Sequence, residues 1–250
     1  MPTKAGPERG GSADRPAPDV ETASPAYARR FDGEVGAWFL EVQERLVLEQ
    51  LRDLPRGSRV LDVGGGHAQL AGPLAGAGFE VTVAGSSPSC AERLRPLREA
   101  GRVRFVAGDL LALPVPDDGF DAVLAFRLLA HVDPWRDLLG ELCRASRGRV
   151  IVDYPSRRSF NVVAGPLFGL KARVEENTRP FRVLPPAEVA GAFAEHGYRV
   201  AAHRPEFLLP MALHRALGSR RIAGALERVG RATGLVHRFG SPVVVRAEPV

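Results

Sequence analysis

Apolar positions along this 250-residue chain fall into two alternating rhythms. From Arg59 onward, short β-branched runs alternate with stretches whose apolar residues recur at helical spacing, and the runs predict strands at 59–63, 80–84, 103–106, 121–126 and 149–153. The stretches between them predict helices over Gln69–Ala77, Ser89–Ala100 and Pro134–Ser146, with Ser87-Pro88 and Asp133-Pro134 supplying N-terminal caps. Strands alternating with helices in this way predict an α/β fold, a parallel sheet covered on both faces.

Either side of that core the pattern changes. Residues 1–24 are rich in Pro, Gly, Ala and charge without apolar periodicity, which predicts a disordered N-terminal tail. From Tyr27, the residues Trp38, Phe39, Val42, Leu46, Leu48 and Leu51 keep helical spacing up to Leu54-Pro55-Arg56-Gly57, predicting a helical N-terminal extension. Beyond Tyr154-Pro155 the rhythm breaks for roughly thirty residues, a long insertion for an α/β protein. A helix at Pro186–His196 stopped by Gly197, a strand at Tyr198–His203, helical structure over Met211–Thr233 and a last strand at Pro242–Ala247 complete the chain. Residues 25–250 read as a single domain whose core is 59–153.

Composition narrows the function classes. An apolar content of 45% with 25% charged residues is that of a soluble globular protein. The apolar stretch Val162 to Leu170 is far shorter than the roughly 20 residues that span a bilayer, and the Met1–Pro7 segment lacks the apolar core of a secretory signal. A cytoplasmic protein without a transmembrane segment is expected. Cys90 and Cys143 have no metal-ligand spacing, so both read as reduced thiols and no metal is expected. The net charge of +5 is carried almost wholly by arginine, since Lys4 and Lys171 are the only lysines. That balance raises nucleic-acid binding, but aromatics at 7% are too sparse for base-stacking platforms, and the class is disfavoured. Nothing in the composition speaks to oligomeric state.

The chemistry concentrates in Arg59-Val60-Leu61-Asp62-Val63-Gly64-Gly65-Gly66-His67-Ala68-Gln69-Leu70, a buried strand running through a glycine turn into a helix. Such a junction brings bare backbone against a ligand. A dinucleotide fingerprint would need a third glycine where Gln69 stands. Asp62 would repel a diphosphate but attract a cationic amino-acid moiety.

This stretch resembles the first motif of class I S-adenosylmethionine-dependent methyltransferases, an acidic residue followed by Gly-x-Gly-x-Gly, with Ala68 where the last glycine often stands. The resemblance places Asp62, Gly64, Gly65 and Gly66 under the methionine and ribose parts of the cofactor. Val106-Ala107-Gly108-Asp109-Leu110 resembles the segment whose aspartate meets the adenine amino group, giving Asp109 and Leu110 that role. A capped turn after the third strand is the structural alternative for Gly108-Asp109. Phe120–Phe126, preceded by Pro116-Asp117-Asp118-Gly119, is similar to the family's fourth strand, with Phe126 at its cofactor end. The likeness to the type 11 subgroup covers residues 60 to 153. It implies a Rossmann-like three-layer sandwich, a seven-stranded mostly parallel sheet with an antiparallel last strand, and S-adenosylmethionine as cofactor.

One position departs from the family. Its second strand usually ends in an Asp or Glu that accepts from the ribose hydroxyls, and Gly85 stands there, followed by Ser86 and Ser87. A serine hydroxyl or a water would have to substitute.

On the acceptor side, His131 lies just beyond the fourth strand, where α/β sheets form their ligand crevice, and a neutral imidazole there could take a proton from a hydroxyl. Segments 154–185 and 205–240 are expected to cover the acceptor, with Arg158 and Arg179 as its contacts. The second segment sets Met211, Leu213, Leu217 and Leu226 among arginines, which suits a lid or a peripheral contact with an anionic membrane. The expected reaction is methyl transfer to a small molecule, at oxygen. A non-catalytic binding protein that kept the fold, and an RNA methyltransferase, stand beside it.

Overall fold

Strand β1 (Arg59–Val63) reads Arg-Val-Leu-Asp-Val and is buried from Val60 on, because strands flank it and helices cover both faces. The computed structural model describes residues 17–159 and 182–250. In it, β1 is joined in parallel by β2 (Glu80–Gly85) on one side and β4 (Phe120–Ala125) on the other, with β3 (Val103–Ala107) outside β2 and β5 (Ser146–Tyr154) outside β4. Strands β6 (Tyr198–Pro205) and β7 (Val243–Pro249) complete the sheet in the order β3-β2-β1-β4-β5-β7-β6, and β7 is antiparallel to both neighbours. The expected α/β, seven-stranded, mostly parallel sheet with an antiparallel last strand is the one observed.

Consecutive strand residues point to opposite faces and build two apolar layers. Leu61, Val63, Val123 and Val152 pack under helices α6 (Trp135–Ala145) and α7 (Pro186–Ala194), through Leu138, Leu142 and Phe193. Val60, Leu124, Ile151 and Val244 pack under helix α3 (Gly33–Leu51), through Phe39, Val47 and Leu51. Replacing a fully buried leucine such as Leu51 by alanine would cost about 2–5 kcal/mol.

Several element boundaries differ from expectation. Helix α4 is shortened to Ala71–Gly76 because Ala68 takes a left-handed backbone (φ 65°) before it. The stretch from Ser89 opens as a 3-10 helix over Pro88–Leu94, capped by the Ser87 hydroxyl, and becomes helix α5 only at Arg95–Glu99. Asp133 does not cap α6; it pairs with Arg182 at 3.2 Å. The run from Met211 splits into α8 (Met211–Leu217) and α9 (Arg220–Ala232) at Gly218, whose φ of 62° ends the first helix. A short helix α10 (Leu235–Phe239) follows, and α9 leaves Ile222, Leu226 and Val229 exposed. Among the described residues, no helix is long and apolar enough to cross a membrane.

The largest correction is at the N-terminus. Residues 17–24, expected as part of the disordered tail, are ordered: α1 (Pro18–Thr22) and α2 (Pro25–Ala28) precede α3, and Asp19 is fully buried. Composition alone misreads this segment because its order comes from contacts with residues far along the chain.

Candidate functional site

The chain leaves β1 for β2 on one side of the sheet and reaches β4 on the other, so the carboxyl ends of β1 and β4 border a crevice, the usual ligand position in such folds. Gly64 opens it with a left-handed backbone (φ 73°), and Gly65–His67 makes one 3-10 turn. Each glycine is required by what surrounds it. A Cβ on Gly65 would overlap the Asp62 carboxylate, one on Gly66 would lie 2.8 Å from the Cys90 carbonyl, and one on Gly64 would lie 3.1 Å from Leu128.

Asp62 is buried, and burial pushes its carboxyl up to about 7, against the pull of the Arg127 guanidinium. Among the described residues no hydrogen-bond donor reaches that carboxylate, and it faces a small cavity lined also by Thr22, His67, Gln69, Phe126 and Arg127. A buried carboxylate without a donor, beside three bare glycines, fits a cofactor that brings a positive charge. The residues therefore suit the amino-acid end of S-adenosylmethionine.

Arg127, immediately after β4, organises the mouth of this crevice. Its backbone is left-handed (φ 55°), and its N–H donates to Asp153 Oδ1 at 2.5 Å. Its guanidinium donates to Gln69 and sits 4.9 Å from the Phe31 ring centroid and 5.9 Å from that of Tyr27. Tyr27, Phe31 and the His67 imidazole form one aromatic cluster, with centroids 5.4–5.8 Å apart. His67 is 7% exposed, neither ring nitrogen has a partner, and burial with two nearby arginines lowers its pKa to about 3. It is a neutral imidazole, able to hydrogen-bond and too weakly basic to strip a proton from a hydroxyl.

The remaining expected residues are placed as follows. Phe126 lines the cavity. Asp109 Oδ1 accepts from Leu111 N at 2.9 Å, the capped turn anticipated as the structural alternative, and Leu110 is buried in the core. Gly85 closes β2, where a Cβ would meet Cys90 Cβ at 2.8 Å and the Phe105 ring at 3.1 Å. Ser86 is engaged by Asp19, a residue sequence reasoning passed over. His131 ends a 3-10 turn (Leu129–His131) after β4 and is not among the residues lining the cavity. Arg158 is exposed, its N–H donating to Ser156 Oγ, while Arg179 lies outside the described residues. The two ends of the 154–185 segment are tied by Leu184 N to Pro155 O and Arg157 N to Leu184 O, both 3.0 Å. Arg182 N donates to Ala130 O beside His131.

Segment 205–240 packs on the N-terminal helices. His214, Phe207, Trp38 and Phe39 share one ring cluster, and Arg220 pairs with Glu41. Behind Arg127, Gln43 Nε2 donates to Asp153 Oδ2 and Glu206 Oε1, both at 3.2 Å. Burial raises these two carboxyls to about 6 and about 8. His67, Arg127, Gln43 and Glu206 carried no motif; only spacing relative to the loop could have marked His67. A wider groove of about 590 Å³, lined by Asp118, Cys143, Arg144 and Tyr198 among others, sits where β4 to β6 begin, opposite the crevice.

Comparison with known proteins bears on the family and the fold. A family model described as a methyltransferase domain matches residues 37–203. The demethylmenaquinone methyltransferase of Renibacterium salmoninarum is 34% identical over 121 residues, 46% of this chain and 48% of that protein. The ubiquinone/menaquinone biosynthesis C-methyltransferase UbiE of Azotobacter vinelandii is 34% identical over 128 residues, 48% of this chain and 50% of that protein. The chain thus spans about half the length of the curated relatives it matches. The magnesium protoporphyrin IX methyltransferase of Synechocystis, solved with bound S-adenosylhomocysteine, shares the fold at a TM-score of 0.63 and 17% identity, covering 93% of this chain and 98% of that one. By family match and fold together, the chain belongs to the methyltransferase domain family, within the class I S-adenosylmethionine-dependent methyltransferases.

Proposed function

We propose that this chain methylates a planar, hydroxylated small molecule, and that the atom methylated is a ring carbon. The observation that carries the acceptor class is the aromatic wall of Tyr27, Phe31 and His67 beside the glycine loop, with the Arg127 guanidinium over it. Flat rings stack on such a wall, and a guanidinium favours the anionic form of a ring hydroxyl. Oxygen, the acceptor expected from sequence, draws no support from the curated relatives, one of which is named a C-methyltransferase. A ring hydroxyl that loses its proton is nucleophilic at oxygen and at the adjacent carbon, so orientation against the wall would select the atom.

S-adenosylmethionine, when bound, supplies a methyl group on a sulfonium that leaves without further activation. In this reading Asp62, the Gly64–Gly66 backbone and Phe126 hold its amino-acid end, since Asp62, Gly64, Gly65 and Phe126 border one cavity, and Asp109 and Leu110 border its adenine. His131 takes the hydroxyl proton and returns it to the oxygen as the methylated ring carbon gives up its own hydrogen to solvent as a proton, which restores the ring; His67 is too weak a base and serves as a hydrogen-bonding wall. Arg158 serves the acceptor from the rim. Incubating the protein with methyl-labelled S-adenosylmethionine and a panel of hydroxylated aromatic acids and quinols tests this. A labelled methyl with a carbon-bound NMR shift is the expected product; an oxygen-bound methyl would sink the carbon assignment.

A second reading, a binding protein that kept the fold, is favoured by Gly85, which leaves β2 without a ribose acceptor. Calorimetric titration with S-adenosylhomocysteine separates the two, since absence of binding would end the enzyme reading.

A further inference from the structure

Helix α1 lies against the glycine loop on the face a cofactor would use. The Cβ of Ala23 is 2.9 Å from the position a Cβ on Gly66 would take, and the Cβ of Asp19 is 3.6 Å from that of Gly64. Asp19 Oδ2 accepts from Ser86 N and its Oδ1 from Ser86 Oγ, both at 2.6 Å, while the Cys90 thiol lies 3.3 Å from Oδ2. These are short, charge-assisted bonds made at the end of β2, one residue beyond Gly85. With α1 seated, the cavity over the loop is only about 10 Å³, whereas pockets for ligands of cofactor size run to roughly 300–1,000 Å³.

We propose that α1 is an internal occupant of the cofactor crevice, held by the Asp19–Ser86 contact, and that the cofactor binds only when Asp19 lets go. The proposal rests on the cofactor reading above. A five-residue helix has no stability of its own in water, so α1 persists through its docking contacts alone. No arginine or lysine pairs with Asp19 among the described residues; its charge is held by two donors of one serine and a thiol. The backbone is extended at Ser24 (ψ 150°), between α1 and α2, which provides a pivot. Ser24 Oγ accepts from Tyr27 N, so α2 keeps its cap when α1 swings away. The cost of opening is a tax on cofactor affinity equal to the fraction of molecules that are open.

The test uses the full chain, with S-adenosylhomocysteine titrated calorimetrically and amide exchange followed over residues 17–24. Asp19→Ala should bind about tenfold tighter than the native protein and lose amide protection across α1. Native protein saturated with S-adenosylhomocysteine should lose the same protection, a measurement that needs no variant. Weaker binding by Asp19→Ala would make Asp19 a ligand of the cofactor and overturn the proposal; so would equal binding, or saturated native protein whose α1 amides stay protected. If Asp19→Ala frees α1 by exchange and still binds no S-adenosylhomocysteine, it is the cofactor reading that fails.

Discussion

The Asp62 carboxylate fills the volume that a side chain on Gly65 would need. Strand β1 delivers the acid and the turn delivers a residue without a Cβ, so charge and bare backbone reach the crevice together. Gly65→Ala should displace the carboxylate while leaving the sheet intact. We expect S-adenosylhomocysteine affinity to fall about tenfold or more, equivalent to at least 1.4 kcal/mol, with unchanged circular dichroism. Unaltered affinity would separate Asp62 from the cofactor.

Asp62 also sets a pH dependence. Its carboxyl, raised to about 7 by burial, is largely protonated below that pH, and only the ionised form attracts an ammonium group. Affinity for S-adenosylhomocysteine should therefore climb about tenfold between about pH 6 and pH 8 and then level. Asp62→Asn should bind weakly with no slope across that range.

Restoring the acid at the end of β2 should fail. Gly85→Asp would drive a Cβ against Cys90 and the Phe105 ring. Overpacking of this kind costs about 1–3 kcal/mol, read as a lower urea midpoint. A variant as stable as the native protein, binding cofactor more tightly, would contradict this packing.

The Asp153–Gln43–Glu206 cluster predicts a stability profile of unusual sign. Glu206 is raised from its ordinary 4.5 to about 8, so between those values the folded chain holds a proton that the unfolded chain has lost. Stability then falls as pH rises through that window and flattens above it; Asp153, raised to about 6, acts in the same direction. Glu206→Gln, which keeps an acceptor for Gln43, should flatten the profile and gain about 1–3 kcal/mol near pH 8 in urea melts. A native profile that instead improves from pH 5 to pH 8 would refute the assignment.

A buried carboxylate also anchors segment 205–240. Glu227 accepts from Leu208 N, Leu209 N and His214 Nε2, at 2.8–3.0 Å. Glu227→Ala would leave two backbone donors unmet and should cost about 2–4 kcal/mol, seen as early loss of protection in α8 and α9 by amide exchange.

The sequence by itself determined the sheet and the loop. Strands β1 to β4 lie within one residue of their predicted bounds, because strands covered on both faces leave short, continuous β-branched and apolar runs in the sequence itself. Asp62 and three consecutive glycines announced the crevice, since those residue types at a strand end make sense locally. Tertiary structure alone decided what stands in it. Asp19, in a segment whose composition reads as tail, is ordered by Ser86 and Cys90, 67 and 71 residues away. His67, Arg127 and the Gln43-bridged carboxyls acquire their character from burial beside partners brought from other elements. Local propensity records what a residue prefers among its neighbours in the chain; charge, protonation and access depend on neighbours that only the fold supplies.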